Sequence, residues 1–149
     1  MKIALPFVAP LAAAITLAVT SPSCSKEAKK ERSLESAMGY LKKGDLAAAE
    51  IEFKNMLDAD PGNSEAIKQI GIIRKNQGVH YEAAGILTQS KIKLPKDDEV
   101  GIALAEALLA LDFIPDSRKE LFEVLDRNPS NGEAIVVLAE SSISSAMLD

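Results

Sequence analysis

Three prolines, Pro61, Pro95 and Pro129, stand 34 residues apart, and the residues around them repeat with them. A chain with that period is committed to a helical-repeat scaffold, in which each unit is one supersecondary element stacked on the next. The flanking columns give the period a physical content. Asn63, Asp97 and Asn131 align, and each is followed two residues later by an acid, Glu65, Glu99 or Glu133. An Asx side chain at an N-cap satisfies orphan backbone donors, and a carboxylate in the first turn suits the positive end of the helix dipole. A helix is therefore expected to start just after each proline. The proline itself ends the preceding helix, because it lacks an N–H and disfavours helical geometry in the residue before it.

Small residues fill a second set of columns: Ala37, Gly71, Ala105 and Ala139 in the first helix of each unit, and Ala49, Ala83 and Ser117 in the second. Columns that stay small beside columns that stay large are what close helix-on-helix approach requires. Ile70, Leu104 and Leu138 immediately precede three of the small residues. Phe53, Leu87 and Leu121 lie four beyond the second set, with Met56 and Val124 in the turn after. A spacing of four, not alternation by two, organises the unit. Gly44-Asp45, Gly78-Val79 and Asp112 to Pro115 read as turns between paired helices, with Pro115 acceptable in the opening turn of the second helix.

With these columns, the chain resembles the tetratricopeptide repeat (TPR) family, whose helix-turn-helix units carry small residues, a large apolar residue and a closing proline. Lys43-Gly44-Asp45-Leu46-Ala47-Ala48-Ala49 with Phe53 and Asp60-Pro61, then Gln77-Gly78 with Ala83, Leu87 and Pro95, follow that pattern. The third unit departs from it, with Asp112 for the turn glycine and Ser117 for the small alanine, and there is no tryptophan in the chain. The expected fold is an all-α TPR solenoid: three repeats within 33–131, a closing helix or partial fourth repeat over 132–149, and a signal peptide ahead of them. The repeats run from Lys30 to Asn63, Ser64 to Asp97 and Asp98 to Asn131. A hydrophobic fraction of 47% supplies a core, and an aromatic fraction of 4% makes that core aliphatic. About three stacked repeats are the usual minimum for stability.

The segment after the third repeat continues the first-helix columns through Ile135, Leu138, Ala139 and Ser142, with no second helix after it. It reads as a terminal cap. Val136, Val137, Ile143, Met147 and Leu148 nevertheless compete with Glu140 and the serines for its outer face, so a self-associating end is the alternative.

Residues 1–23 follow different chemistry. Lys2 precedes an almost unbroken apolar and small stretch from Ile3 to Val19, interrupted by Pro6 and Pro10. As a helix it would span about 25 Å against a bilayer core of about 30 Å, so a secretory signal fits better than a permanent span. Cys24 is the only cysteine and follows directly. One reading makes it a free thiol, with no disulfide available inside a monomer. Ser21-Pro22-Ser23-Cys24 also resembles the lipobox of bacterial lipoproteins in its small residue before the cysteine, while departing from it at Ser21 and Pro22. That resemblance implies lipid attachment at Cys24, residues 24–32 as a charged linker, and a membrane partner through the anchor. A cut near Thr20 or Ser23, freeing the protein into the periplasm, competes with it.

From Ser33 onward 12 basic residues face 20 acidic ones, so nucleic acid is not an expected ligand. The bases Lys26, Lys29, Lys30 and Arg32 suit the neighbourhood of anionic lipid. Nothing in the chain asks for catalysis or a cofactor. His80 is the sole histidine, one histidine and one cysteine cannot make a structural zinc set, and Asp97-Asp98-Glu99 are accounted for as a cap and first turn. The TPR resemblance implies a non-catalytic interaction scaffold, its first helices lining a concave groove. That groove would present Leu34, Met38 and Leu41, then Lys68, Ile72 and Lys75, then Ile102, Glu106 and Leu109 to a peptide segment of a partner protein, unless part of the stripe is inter-helix core. Met38, Ile72 and Glu106 stand where some members carry an asparagine that grips a C-terminal carboxylate, so an amphipathic or extended segment is the better expected ligand. The chain is also similar to repeat lipoproteins of envelope assembly and export systems, including the exosortase-associated kind. A soluble periplasmic adaptor or chaperone-like protein, or a piece of a longer repeat lipoprotein, are the alternatives.

Overall fold

The computed structural model describes residues 22–146, with side chains from 26 to 143. Seven helices follow one another: α1 (Pro22–Lys42), α2 (Leu46–Ala59), α3 (Ser64–Asn76), α4 (His80–Lys93), α5 (Asp98–Ala110), α6 (Ile114–Arg127) and α7 (Gly132–Ala146). They form three antiparallel pairs and a seventh helix packed on the third pair.

The caps lie where the Asx column places them. Asn63, Asp97 and Asn131 accept from the backbone N–H of Ala66, Val100 and Ala134 at 2.9, 3.1 and 3.0 Å. Asp45 does the same for Ala48 at 3.0 Å, so this turn residue also caps α2. Within each pair the reversal needs one left-handed residue, supplied by Gly44 (φ 74°), Gly78 (φ 79°) and Asp112 (φ 64°). Pro115 lies in the opening turn of α6.

The small columns mark where helices of a pair touch. A Cβ on Gly71 would stand 2.8 Å from the Leu87 side chain, so α3 and α4 are closer there than any alanine allows. Ala37, Ala49, Ala83, Ala105 and Ser117 are fully buried. The Ser117 hydroxyl donates to the Ala105 carbonyl at 2.8 Å, which is how a polar residue is accommodated in that column. Ala139 departs from its column: it is exposed, because no helix among the described residues follows α7 to cover it. Three apolar clusters run along the array. The first gathers Ala37, Phe53, Met56, Ile70 and Ile73; the second centres on Leu87 and Leu104; the third joins Ile102, Leu121 and Val124 to Ala134 and Val137 of α7.

Residues 24–32, expected as a linker, are helical and continuous with α1. Apolar periodicity is absent there, but Ala, Glu and Lys are strong helix formers and the downstream turns supply the nucleus. Arg32 Nε donates to the Ala28 carbonyl at 3.1 Å, and the Lys30 ammonium lies 3.2 Å from Glu27 and 3.5 Å from Asp60 beyond α2. The expected signal segment 1–23 lies outside the described residues except for its last two. Cys24 falls within α1, but its side chain, like Met147 and Leu148, is outside the described residues. No helix among the described residues is long and apolar enough to cross a membrane.

Candidate functional site

The odd-numbered helices α1, α3, α5 and α7 carry every residue of the expected groove, and their mutual packing decides which of those residues a ligand can reach. α3 packs on α5 and α5 on α7, yet no Cα of α1 lies within 8 Å of α3. The first gap is therefore wider than the two that follow.

One column shows the consequence. Leu34, Lys68, Ile102 and Val136 are equivalent by the 34-residue period, on α1, α3, α5 and α7. Lys68 and Ile102 are 8% and 3% exposed, because α5 and α7 close over them. Val136 is 56% exposed, with nothing after α7 among the described residues, and Leu34 is 36% exposed because α3 stands off from α1. Lys68 and Ile102 thus belong to the inter-helix packing, while Leu34 and the more exposed Met38 stand open. Leu41, Ile72 and Leu109 are half-buried against the core clusters, and Lys75 and Glu106, also half-buried, form an ion pair with each other.

Electrostatics separates the gaps further. The Lys68 ammonium is held by Glu65 at 3.1 Å, Asp97 at 3.3 Å and Glu99 at 3.0 Å. Burial alone would lower its pKa, but the carboxylates of Glu99 and Glu65 outweigh that and hold it well above the usual lysine range. Lys68 therefore serves as a clasp between α3 and α5, with its charge already spent on neighbours. Asp97, Asp98 and Glu99 are equally engaged: Asp97 caps α5 and binds Lys68, Glu99 binds Lys68, and Asp98 takes Arg127 at 2.9 Å. His80 is the first residue of α4, half-buried, and no group of three metal-ligating side chains occurs among the described residues.

Two concavities differ in size accordingly. Between α3, α5 and α7 a small cleft of about 130 Å³ is lined by Ile72, Lys75, Ile102 and Glu106, with Glu99 and Glu133 at its edge. Between α1 and α3 a cleft of about 330 Å³ opens over Met56, bounded by Leu34, Glu31, Asn63 and Glu65. Met56, Glu31, Asn63 and Glu65 were not among the residues expected to meet a ligand. The signal for them was nonetheless present, since subtracting 34 from Glu65, Asp97 and Glu99 gives Glu31, Asn63 and Glu65. A third concavity, of about 340 Å³ and lined by Tyr81, Thr88, Leu108 and Phe113, lies off this face.

Solved structures with the same architecture are numerous. An O-GlcNAc transferase variant from Thermobaculum terrenum superposes with a TM-score of 0.73 at 23% identity, covering 78% of this chain and 22% of that one. The second TPR domain of human RPAP3, in complex with the HSP70 peptide SGPTIEEVD, gives a TM-score of 0.72 at 16% identity, covering 78% and 98%. The Arabidopsis OM64 TPR domain gives 0.74 at 13% identity, covering 80% and 98%. The chain thus spans 22% of the transferase's length but nearly all of the two isolated TPR domains. No protein-family model and no curated protein sequence matches it. At these identities the likeness establishes the fold, a TPR helix-turn-helix array.

Proposed function

We propose that this chain is a non-catalytic interaction scaffold that holds a peptide segment of a partner protein along the face of α1, α3, α5 and α7. The observation that carries the reading is the open apolar surface of Leu34 and Met38 on α1, where the equivalents of Leu34, Lys68 and Ile102, are sealed and those of Met38, Ile72 and Glu106, are half-buried. A well-ordered array that leaves long apolar side chains exposed beside a cleft has the form of a docking groove. The RPAP3 domain supports the reading, because a domain of the same fold holds a peptide. That peptide is acidic at its end, whereas the groove lysines here are committed, Lys68 to three carboxylates and Lys75 to Glu106. An apolar segment suits this groove better than a carboxylate-rich tail.

The scaffold acts, in this reading, at the bacterial cell envelope: residues 1–23 direct export and Cys24 carries the lipid that holds the protein on a membrane, with a repeat lipoprotein of an export or exosortase-associated system as its nearest type. Several acyl chains, at about 0.8 kcal/mol per buried CH₂, anchor a protein without any spanning helix. A soluble periplasmic adaptor is the second version of the same scaffold. Self-association through α7, where Ile135, Val136 and Ile143 are exposed, is a further part of the proposal.

Two measurements test it. Crosslinked capture from envelope extracts is expected to fall when Met38→Asp and Ile72→Asp are combined at unchanged helicity; undiminished capture overturns the groove. Labelled fatty acid is expected to enter the protein and to be lost in Cys24→Ala; an unlabelled protein found wholly in the soluble periplasm overturns the anchor.

A further inference from the structure

The cleft between α1 and α3 is the 34-residue counterpart of the site that grips Lys68, with the lysine removed. Around Lys68 stand Glu65 on its own helix and Asp97 and Glu99 at the start of the next odd-numbered helix. One repeat earlier the same positions are Glu31, Asn63 and Glu65, and the position of the lysine is Leu34. All four of these residues line the wide cleft. In the later gap the internal ammonium bridges carboxylates of α3 and α5. In the gap between α5 and α7 the apolar Ile102 holds the equivalent position and is sealed, whereas between α1 and α3 no cation bridges the carboxylates and the helices stand apart.

The neighbouring charges leave that position unfilled. Lys30 is the one basic residue lining the cleft, and its ammonium is turned to Glu27 and Asp60. Glu31 forms no ion pair among the described residues, and Glu65 keeps a carboxylate shared with Lys68 and Gln69. Asn63 uses its side-chain oxygen to cap α3, so the cation-binding capacity rests on Glu31 and Glu65. Beneath them lie the buried Met56 and the open flank of Leu34, an apolar wall of the kind along which a long basic side chain extends its methylenes.

We propose that this cleft receives a lysine or arginine side chain of the partner segment, its stem on Leu34 and Met56 and its charge between Glu31 and Glu65, with apolar residues of the segment beside it on Met38. The inference rests on the groove reading above and names its partner's chemistry: a cationic amphipathic segment. The intruding side chain does between α1 and α3 what Lys68 does between α3 and α5.

The test uses the full chain and three fluorescein-labelled dodecapeptides, one of alternating leucine and lysine, one with glutamate for lysine, and one with norleucine for lysine, followed by fluorescence anisotropy. The leucine–lysine peptide is expected to bind roughly fivefold more tightly than either counterpart, the order that two partly exposed ion pairs supply, and the advantage should shrink with added salt. Leu34→Lys gives the cleft its own ammonium and should remove that advantage with helicity intact; Glu31→Gln, a milder change at an exposed position, should reduce it. Equal affinity for all three peptides, or an undiminished lysine preference in Leu34→Lys, overturns the inference. If Met38→Asp with Ile72→Asp abolishes binding of every peptide while Leu34→Lys alters none, the groove stands and the cation site falls. If neither alters binding, both fall.

Discussion

Asp112 is the single non-glycine residue with positive φ among those described, and it occupies the turn position that Gly44 and Gly78 fill in the earlier pairs. A side chain in the left-handed region meets its own backbone, at a cost of roughly 1–2 kcal/mol per residue that is somewhat reduced for Asp. Asp112→Gly is therefore expected to stabilise the fold by about 0.5–1 kcal/mol, the strain relief being partly offset by the greater freedom of glycine in the unfolded chain. Urea denaturation measures it, and a lowered midpoint would refute the strain. Ser117, the other departure in the third unit, carries no such cost, because its hydroxyl is satisfied by Ala105. Both substitutions are visible in the sequence as breaks in a column. Only the backbone angle and the hydrogen bond separate the strained break from the satisfied one.

Between elements, the same residue type has opposite consequences at two places. Alanine exceeds glycine in helix propensity by about 1 kcal/mol, which favours Gly→Ala in any helix interior. At Gly71 the new Cβ would stand 2.8 Å from buried Leu87, and overpacking of that kind costs about 1–3 kcal/mol. At Gly85 in α4 nothing lies within 4 Å. Gly71→Ala should lower stability by about 1 kcal/mol net and Gly85→Ala should raise it by about 0.5–1 kcal/mol; thermal unfolding of the pair checks the contrast. The α2–α3 contact carries a pH signature. Burial pushes the Glu50 carboxyl up, but Lys54 at 2.7 Å and Arg74 at 2.6 Å outweigh it and hold its pKa below the usual range. A carboxyl depressed in the folded state contributes stability above its unfolded pKa, near 4.3, and loses it as pH falls through the folded value. Acidification below about pH 4.5 should therefore unfold the native chain more steeply than Glu50→Gln, as melting midpoints across that range would show. Parallel slopes would remove Glu50 from the acid transition.

Across the whole molecule the array is uneven: α5 is packed by α3, α4, α6 and α7, whereas α1 meets α2 and stands off from α3. In a stacked array stability is close to a sum of neighbour terms, so an end helix with one packed neighbour opens first. Hydrogen exchange is expected to release α1 amides well before those of α5, and uniform protection would contradict the open gap. The architecture was legible in the chain because prolines, Asx caps and small columns act locally and recur every 34 residues, placing α3, α5 and α7 just after Asn63, Asp97 and Asn131. The groove was legible only in outline. Periodicity placed Leu34, Lys68 and Ile102 in one column but could not say that two are sealed and one is open, nor that Glu31 and Glu65 face the opening. Nor did the missing apolar period of residues 24–32 reveal that they extend α1. The sequence by itself thus determined the repeat, its caps and its helix pairing, since those follow from short-range sterics and hydrogen bonding. The tertiary structure alone decided which faces close, because the spacing of successive odd-numbered helices is set by packing between residues a repeat apart, which seals Lys68 and Ile102 and leaves Leu34 open.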